Sequence, residues 1–148
     1  MTQVDFYILD SDSDGARLRL ACKIVDKATQ LDHHVFIHSA SDDEARQLDE
    51  LLWTFSQGSF IPHRIVRGEL TQPAPEPVLI SVNQPPAPGR WNVLINLTAE
   101  VPEFFSRYER VAEVVDANAV RREQSRERYR FYRDRGHKLN THQVRTDV

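Results

Sequence analysis

Five short apolar runs set the strongest constraint on how this chain can fold. Val4–Leu9, His34–His38, Val78–Val82, Val93–Leu97 and Arg110–Asp116 concentrate β-branched and aromatic residues over five to seven positions. Runs of this length suit strands buried in a sheet rather than helices. Between them the apolar residues recur at helical spacing. Leu20, Ile24, Ala28 and Leu31 follow a period of about 3.6, and Ala45, Leu48 and Leu52 repeat it, with Trp53 beside them. Ser41-Asp42-Asp43-Glu44 predicts a capping box ahead of that second helix, Ser41 accepting from the Glu44 amide while Glu44 reaches back to Ser41. Pro102–Tyr108 reads as a short helix. Ala119–Asp134 reads as a longer one, stopped by Gly136. The order βαβα–ββ–αβα predicts an α/β domain with a mainly parallel central sheet and helices on both faces. Thr54–His63 has no clear period. Gln72–Pro77 and Gln84–Gly89 are proline-rich loops too short to divide the chain, so its 148 residues suit one domain with one core.

An open α/β sheet invites a nucleotide, but the chemistry for one is missing. The first turn, Asp10-Ser11-Asp12-Ser13-Asp14-Gly15, has one glycine and three carboxylates, which repel a phosphate. Neither G-x-G-x-x-G nor G-x-x-x-x-G-K-[ST] occurs. Asp10, Asp12 and Asp14 resemble the opening of a calcium loop, yet Ala21 stands where the distal Glu belongs, and capping of a helix start is the better reading. The six histidines form no H-E-x-x-H motif, and no serine has a G-x-S-x-G context. Cys22, the single cysteine, falls in a helical pattern and reads as a buried structural thiol. No catalytic residue, cofactor-binding site or metal site is expected. Asp5 and Asp10 break the early apolar run against a signal peptide, and no apolar stretch approaches the ~20 residues of a membrane span. A cytoplasmic protein that does not touch membranes is the expectation.

Charge is distributed unevenly. Met1–Asn118 carries ten Lys and Arg against eighteen Asp and Glu, a net of −8. Ala119–Val148 carries nine against four, a net of +5, and together they give the chain's −3. Such asymmetry marks an interaction surface. Within it, Arg122, Arg126 and Arg130 are spaced i, i+4, i+8 and line one helical face, with Tyr129 and Arg133 beside them. Glu123 and Glu127 can pair locally with Arg126 and Arg130, which argues against a plain phosphate rail. Guanidinium forks beside a flat aromatic ring fit an acidic peptide with an apolar end at least as well as DNA. Direct nucleic-acid binding through this helix is the alternative. A second candidate surface is Leu51-Leu52-Trp53-Thr54-Phe55 with Phe60-Ile61-Pro62-His63, which suits an interface and a core equally.

Phe6-Tyr7-Ile8-Leu9-Asp10, Leu48–Trp53, Ser59-Phe60-Ile61-Pro62-His63, Arg126-Glu127-Arg128-Tyr129-Arg130-Phe131-Tyr132-Arg133 and Leu139-Asn140-Thr141, in that order, resemble the bacterial DNA polymerase III chi subunit. The resemblance implies a nucleotide-binding-like (Rossmann-like) fold without a nucleotide site. It implies a non-catalytic accessory subunit associated with the clamp loader, linking the psi subunit to the acidic, Phe-terminated tail of single-stranded DNA-binding protein. DNA is then met only indirectly. By the same resemblance, Arg126 takes the tail's terminal carboxylate, Arg122 and Arg130 face its acidic residues, and Tyr129 and Leu139 wall its Phe. Trp53, Phe60 and Pro62 form the surface for psi, or for a repair helicase that competes there. The stretch from Val115 to Arg122 is shorter than the family pattern, so Ala117 and Asn118 have no mapped role. Residues 1–141 form the domain, and 142–148 are expected as a flexible tail.

Overall fold

The computed structural model of the chain describes residues 2–13, 15–54, 61–67, 75–82 and 92–145. Phe55, Phe60, residues 72–74 of the first proline-rich loop and all of the second, 84–89, lie outside these. Among the described residues the strands are β1 (Gln3–Leu9), β2 (Val35–His38), β3 (His63–Ile65), β4 (Val78–Ser81), β5 (Val93–Asn96), β6 (Arg110–Val115) and β7 (Lys138–Val144). The helices are α1 (Ala16–Gln30), α2 (Asp42–Thr54) and α3 (Ala119–Asp134), with one 3-10 turn at Phe105–Arg107. All seven strands join one sheet in the order β3-β4-β2-β5-β6-β1-β7, and every pair is parallel.

Alternation along each strand builds two core layers, one on each side of the sheet. Val35, Ile37, Val93, Ile95, Ala112 and Val114 point toward α1 and α2 and meet Ala21, Val25, Leu48 and Leu52. Phe6, Phe36, Leu94 and Val111 point the other way, toward α3 and the 3-10 turn, and meet Tyr132 and Phe105. The expected α/β sheet with helices on both faces is therefore what forms, and it is wholly parallel among the described strands. Cys22 is fully buried, and burial pushes its thiol up to about 12, as a structural cysteine requires.

Helix ends follow local chemistry, with two departures from expectation. The Glu44 amide donates to Ser41 Oγ at 3.1 Å, but the Glu44 carboxylate turns to the Ala40 amide (3.0 Å) and Ser39 Oγ (2.8 Å) rather than to Ser41. Arg17, 2.5 Å away, pulls it there. At α1 Gly15, at φ 77°, occupies the cap position in place of the expected aspartate. The α3 end is a Schellman motif: Gly136, at φ 78°, donates to the Arg133 carbonyl, and His137 donates to that of Tyr132.

α1 closes by the same motif, yet Asp32 (φ 62°) takes the glycine's place, donating to the Thr29 carbonyl while His33 donates to that of Ala28. A side chain is strained there. Asp32→Gly should raise the unfolding free energy by about 0.5–1 kcal/mol, read as a higher urea midpoint with unchanged slope.

β3 and β7 had no counterpart among the predicted strands. β7 is mostly polar and exposed, and it is held by backbone pairing to β1 rather than by burial. The strand runs through His142, Gln143 and Val144. The boundary expected at Thr141 is thus corrected: the parallel ladder extends to the pair Leu9 with Val144. Residues 146–148 lie outside the described residues.

Candidate functional site

α3 begins beyond the C-terminal end of β6. Asn118 caps it, its Oδ1 accepting from the Arg121 amide at 3.0 Å. The helix has three kinds of face. Ser125, Arg128 and Tyr132 are buried against the sheet. Arg128 and Tyr132 surround Glu113, which sits fully buried between Ala112 and Val114. Its carboxylate accepts from Arg128 Nε at 2.9 Å, Tyr132 Oη at 2.7 Å, and Asn96 Nδ2 at 3.0 and 3.1 Å. Burial pushes the Glu113 carboxyl above its ordinary range, while Arg128 and the Asn96 and Tyr132 hydrogen bonds pull it back. Burial and the facing carboxylate raise the Tyr132 hydroxyl far above the ordinary tyrosine range, which keeps it a donor. Arg128 also donates to the Ala99 carbonyl at 2.9 Å. This cluster ties α3 to the sheet. Sequence reasoning missed it, although a lone glutamate inside Val111–Val115 was a signal that buried partners must exist.

The second face borders β1 and β7. Tyr129 is 36% exposed, and its ring meets Phe6 edge-on at 5.3 Å. Phe6 is in register with Thr141, and Val4, on the same side of the sheet, with Leu139. Leu139 is half-buried against the same layer. Tyr129 and Leu139 therefore stand on one margin of the molecule. Arg126, one turn before Tyr129, is exposed there and makes no hydrogen bond or ion pair with the described residues.

The other two arginines of the predicted face are engaged. Arg122 is half-buried, its Nε donating to the Asp116 carbonyl at 3.1 Å and its Nη2 to the Leu9 carbonyl at 3.0 Å. It fastens α3 across the ends of β6 and β1. Arg130 is exposed and pairs with Glu127 at 2.6 Å. Of the three, Arg126 alone bonds no described residue, while Arg130 engages only its Nη1. Arg121 bonds Asp116 at 3.0 Å.

Trp53, at the end of α2, is 53% exposed. Its ring stands edge-on to His63 at 5.0 Å. His63 reaches the Ile61 carbonyl with Nδ1 at 2.7 Å and the Asp49 carboxylate with Nε2 at 2.9 Å. Pro62 is exposed next to it, and Phe60 lies outside the described residues. The sequence left Trp53 open between core and interface, and its exposure takes it out of the core. Trp53→Ala should change the unfolding free energy little, within about 0.5 kcal/mol by urea denaturation, because no core cavity forms.

At the carboxyl ends of the strands, where open α/β sheets receive ligands, a cavity of about 180 Å³ gathers Arg17, Arg121 and Arg128. Each already faces a carboxylate: Glu44 at 2.5 Å, Asp116 at 3.0 Å and Glu113 at 2.9 Å. These cations are neutralised one for one, so the crevice lacks the excess positive charge that a phosphate group needs. Among the described residues no three His, Cys, Asp or Glu side chains gather as a metal site, and no helix is long and apolar enough to cross a membrane.

Fold and crevice together define a class: a Rossmann-like α/β domain whose strand-end arginines are internally paired and whose available aromatic and cationic groups point outward. The crystal structure of T4 UvsW shares this fold, with a TM-score of 0.72 over 98% of this chain and 42% of that one at 9% identity. Residues 1–140 match the family described as DNA polymerase III chi subunit, HolC. The chain is 38% identical over 144 residues to DNA polymerase III subunit chi of Pseudomonas aeruginosa, covering 97% of this chain and 98% of the relative. It is 32% identical to the subunits chi of Haemophilus influenzae (94% and 95% covered) and Escherichia coli (95% and 97%). The chain belongs to the DNA polymerase III chi subunit family and is a protein of DNA replication.

Proposed function

We propose that this chain is a non-catalytic accessory subunit that works in the cytoplasm as a bridge within the polymerase assembly. The α3 margin holds the acidic, Phe-terminated tail of single-stranded DNA-binding protein, and the Trp53 surface holds psi or a competing helicase. The observation that carries the reading is the exposed Arg126, without a partner among the described residues, one helical turn from Tyr129 on the margin that Leu139 shares. A guanidinium with open donors suits a terminal carboxylate, and the two apolar side chains suit an aromatic ring. Arg130 is the nearer candidate for the tail's acidic residues, since Arg122 is occupied by carbonyls. Trp53 and Pro62, with Phe60, form the second surface by resemblance, and Trp53 is exposed enough to anchor a partner.

Fluorescence polarisation with a short acidic peptide ending in Phe tests the reading. The free acid should bind, and the same peptide amidated at its terminus should bind far more weakly. Equal binding of the two overturns the proposed carboxylate pocket. An oligonucleotide that binds without any partner, with a steep salt slope, would favour direct DNA contact instead. For the second surface, Trp53→Ala should abolish capture of psi or the helicase and leave peptide binding intact. Joint loss of both activities with stability would place Trp53 in a structural role.

A further inference from the structure

The two edges of the sheet are built differently. β3 is three residues long and directly follows Pro62. Short length and an adjacent proline are ordinary ways to blunt an edge. β7 has seven residues, Lys138–Val144, with no proline, and most of it is exposed. It is the terminal strand of the sheet, and no described element pairs with its outer side. An unblunted edge of this length is a liability unless something is meant to pair with it.

The ladder identifies which backbone groups are open. Asp10 donates its amide to the Val144 carbonyl at 3.2 Å, so Val144 faces β1. In a parallel ladder the amide and carbonyl of one residue point to the same side, and direction alternates along the strand. Val144, His142, Asn140 and Lys138 therefore face β1. Leu139, Thr141 and Gln143 turn their amides and carbonyls outward. Their side chains lie on the α3 side of the sheet, since Leu139 pairs with Val4 and Thr141 with Phe6. The open edge is thus continuous with the margin that carries Tyr129 and Arg126.

Its charge is also suited to one kind of chain. Lys138 and Arg145 flank the edge at either end, exposed and without an ion pair among the described residues, and Arg126 is exposed one helical turn from Tyr129. We infer that the acidic tail pairs its backbone with β7 as an eighth strand, through Leu139, Thr141 and Gln143, while its final residue enters the Tyr129–Leu139 margin. The inference rests on the tail-binding reading above and adds to it how the upstream part of the tail is held. Main-chain pairing of this kind supplies affinity without reading side chains, leaving recognition to the terminal residue and the flanking cations.

Amide exchange followed by NMR on the full chain, with and without the short acidic peptide ending in Phe, tests it. The amides of Leu139, Thr141 and Gln143 should gain protection of about tenfold or more on binding. N-methylation of alternate upstream residues of the peptide should weaken it by about three- to tenfold per blocked hydrogen bond. Peptide binding that depends on Arg126 but leaves these three amides unprotected and tolerates N-methylation overturns strand addition and leaves the pocket reading standing. No Arg126-dependent binding of any peptide overturns the pocket and the strand addition together.

Discussion

Arg128→Ala should destabilise the fold by about 3–5 kcal/mol, the cost of stranding a buried carboxylate without its counter-ion. Glu113 is fully buried, and Arg128 supplies the only cation bonded to it among the described residues. Asn96 and Tyr132 remain as donors in the variant, but neither carries charge. The acid pays more for ionisation once Arg128 is gone, because burial already raises the Glu113 carboxyl and Arg128 is the first influence lowering it. A carboxyl with a raised folded-state pKa favours folding at low pH and loses that contribution as pH rises. The deficit of Arg128→Ala should therefore shrink as pH falls. Urea unfolding of both proteins across the acid range checks this, and a deficit that grows toward acid would contradict it. Adding Glu113→Gln to Arg128→Ala should recover part of the loss at neutral pH, since the stranded charge disappears.

The second large effect is on binding. Arg126→Ala should weaken the acidic, Phe-terminated peptide by about 2–3 kcal/mol, a typical loss for a charged hydrogen-bonded contact across an interface. The fold should be little changed, because Arg126 is exposed and holds no described partner. Arg122→Ala should do the reverse. Its guanidinium holds the carbonyls of Leu9 and Asp116, so stability falls more than affinity. Arg130→Ala removes an exposed pair with Glu127 and should also change the fold little. Polarisation titrations beside urea curves for the three variants separate these roles. Equal affinity losses for all three would mean that a diffuse basic surface, and not a pocket, holds the tail.

Much of the architecture was legible from residue order. The buried strands β1, β2, β4, β5 and β6 announce themselves because a parallel sheet covered on both faces needs unbroken apolar runs. α1 and α2 show their buried stripes, and Gly136 marks the end of α3 because few residues tolerate the conformation needed there. β7 was not legible. Lys138-Leu139-Asn140-Thr141-His142-Gln143-Val144 carries little apolar signal, since an edge strand is held by backbone bonds that leave no mark on side-chain hydrophobicity.

The basic helix shows the same division. Sequence alone determined that positive charge collects after Ala119, that Arg122, Arg126 and Arg130 can share a helical stripe, and that no glycine-rich phosphate loop is present. Tertiary structure decided which guanidinium is free. Arg128 is drawn inward by Glu113, fifteen residues away in the chain. Arg122 is taken by the Leu9 carbonyl, 113 residues away. Helical periodicity places a side chain on a face, but its hydrogen-bond partners come from strands that only folding brings beneath it. Arg126 is left available because no described residue bonds it.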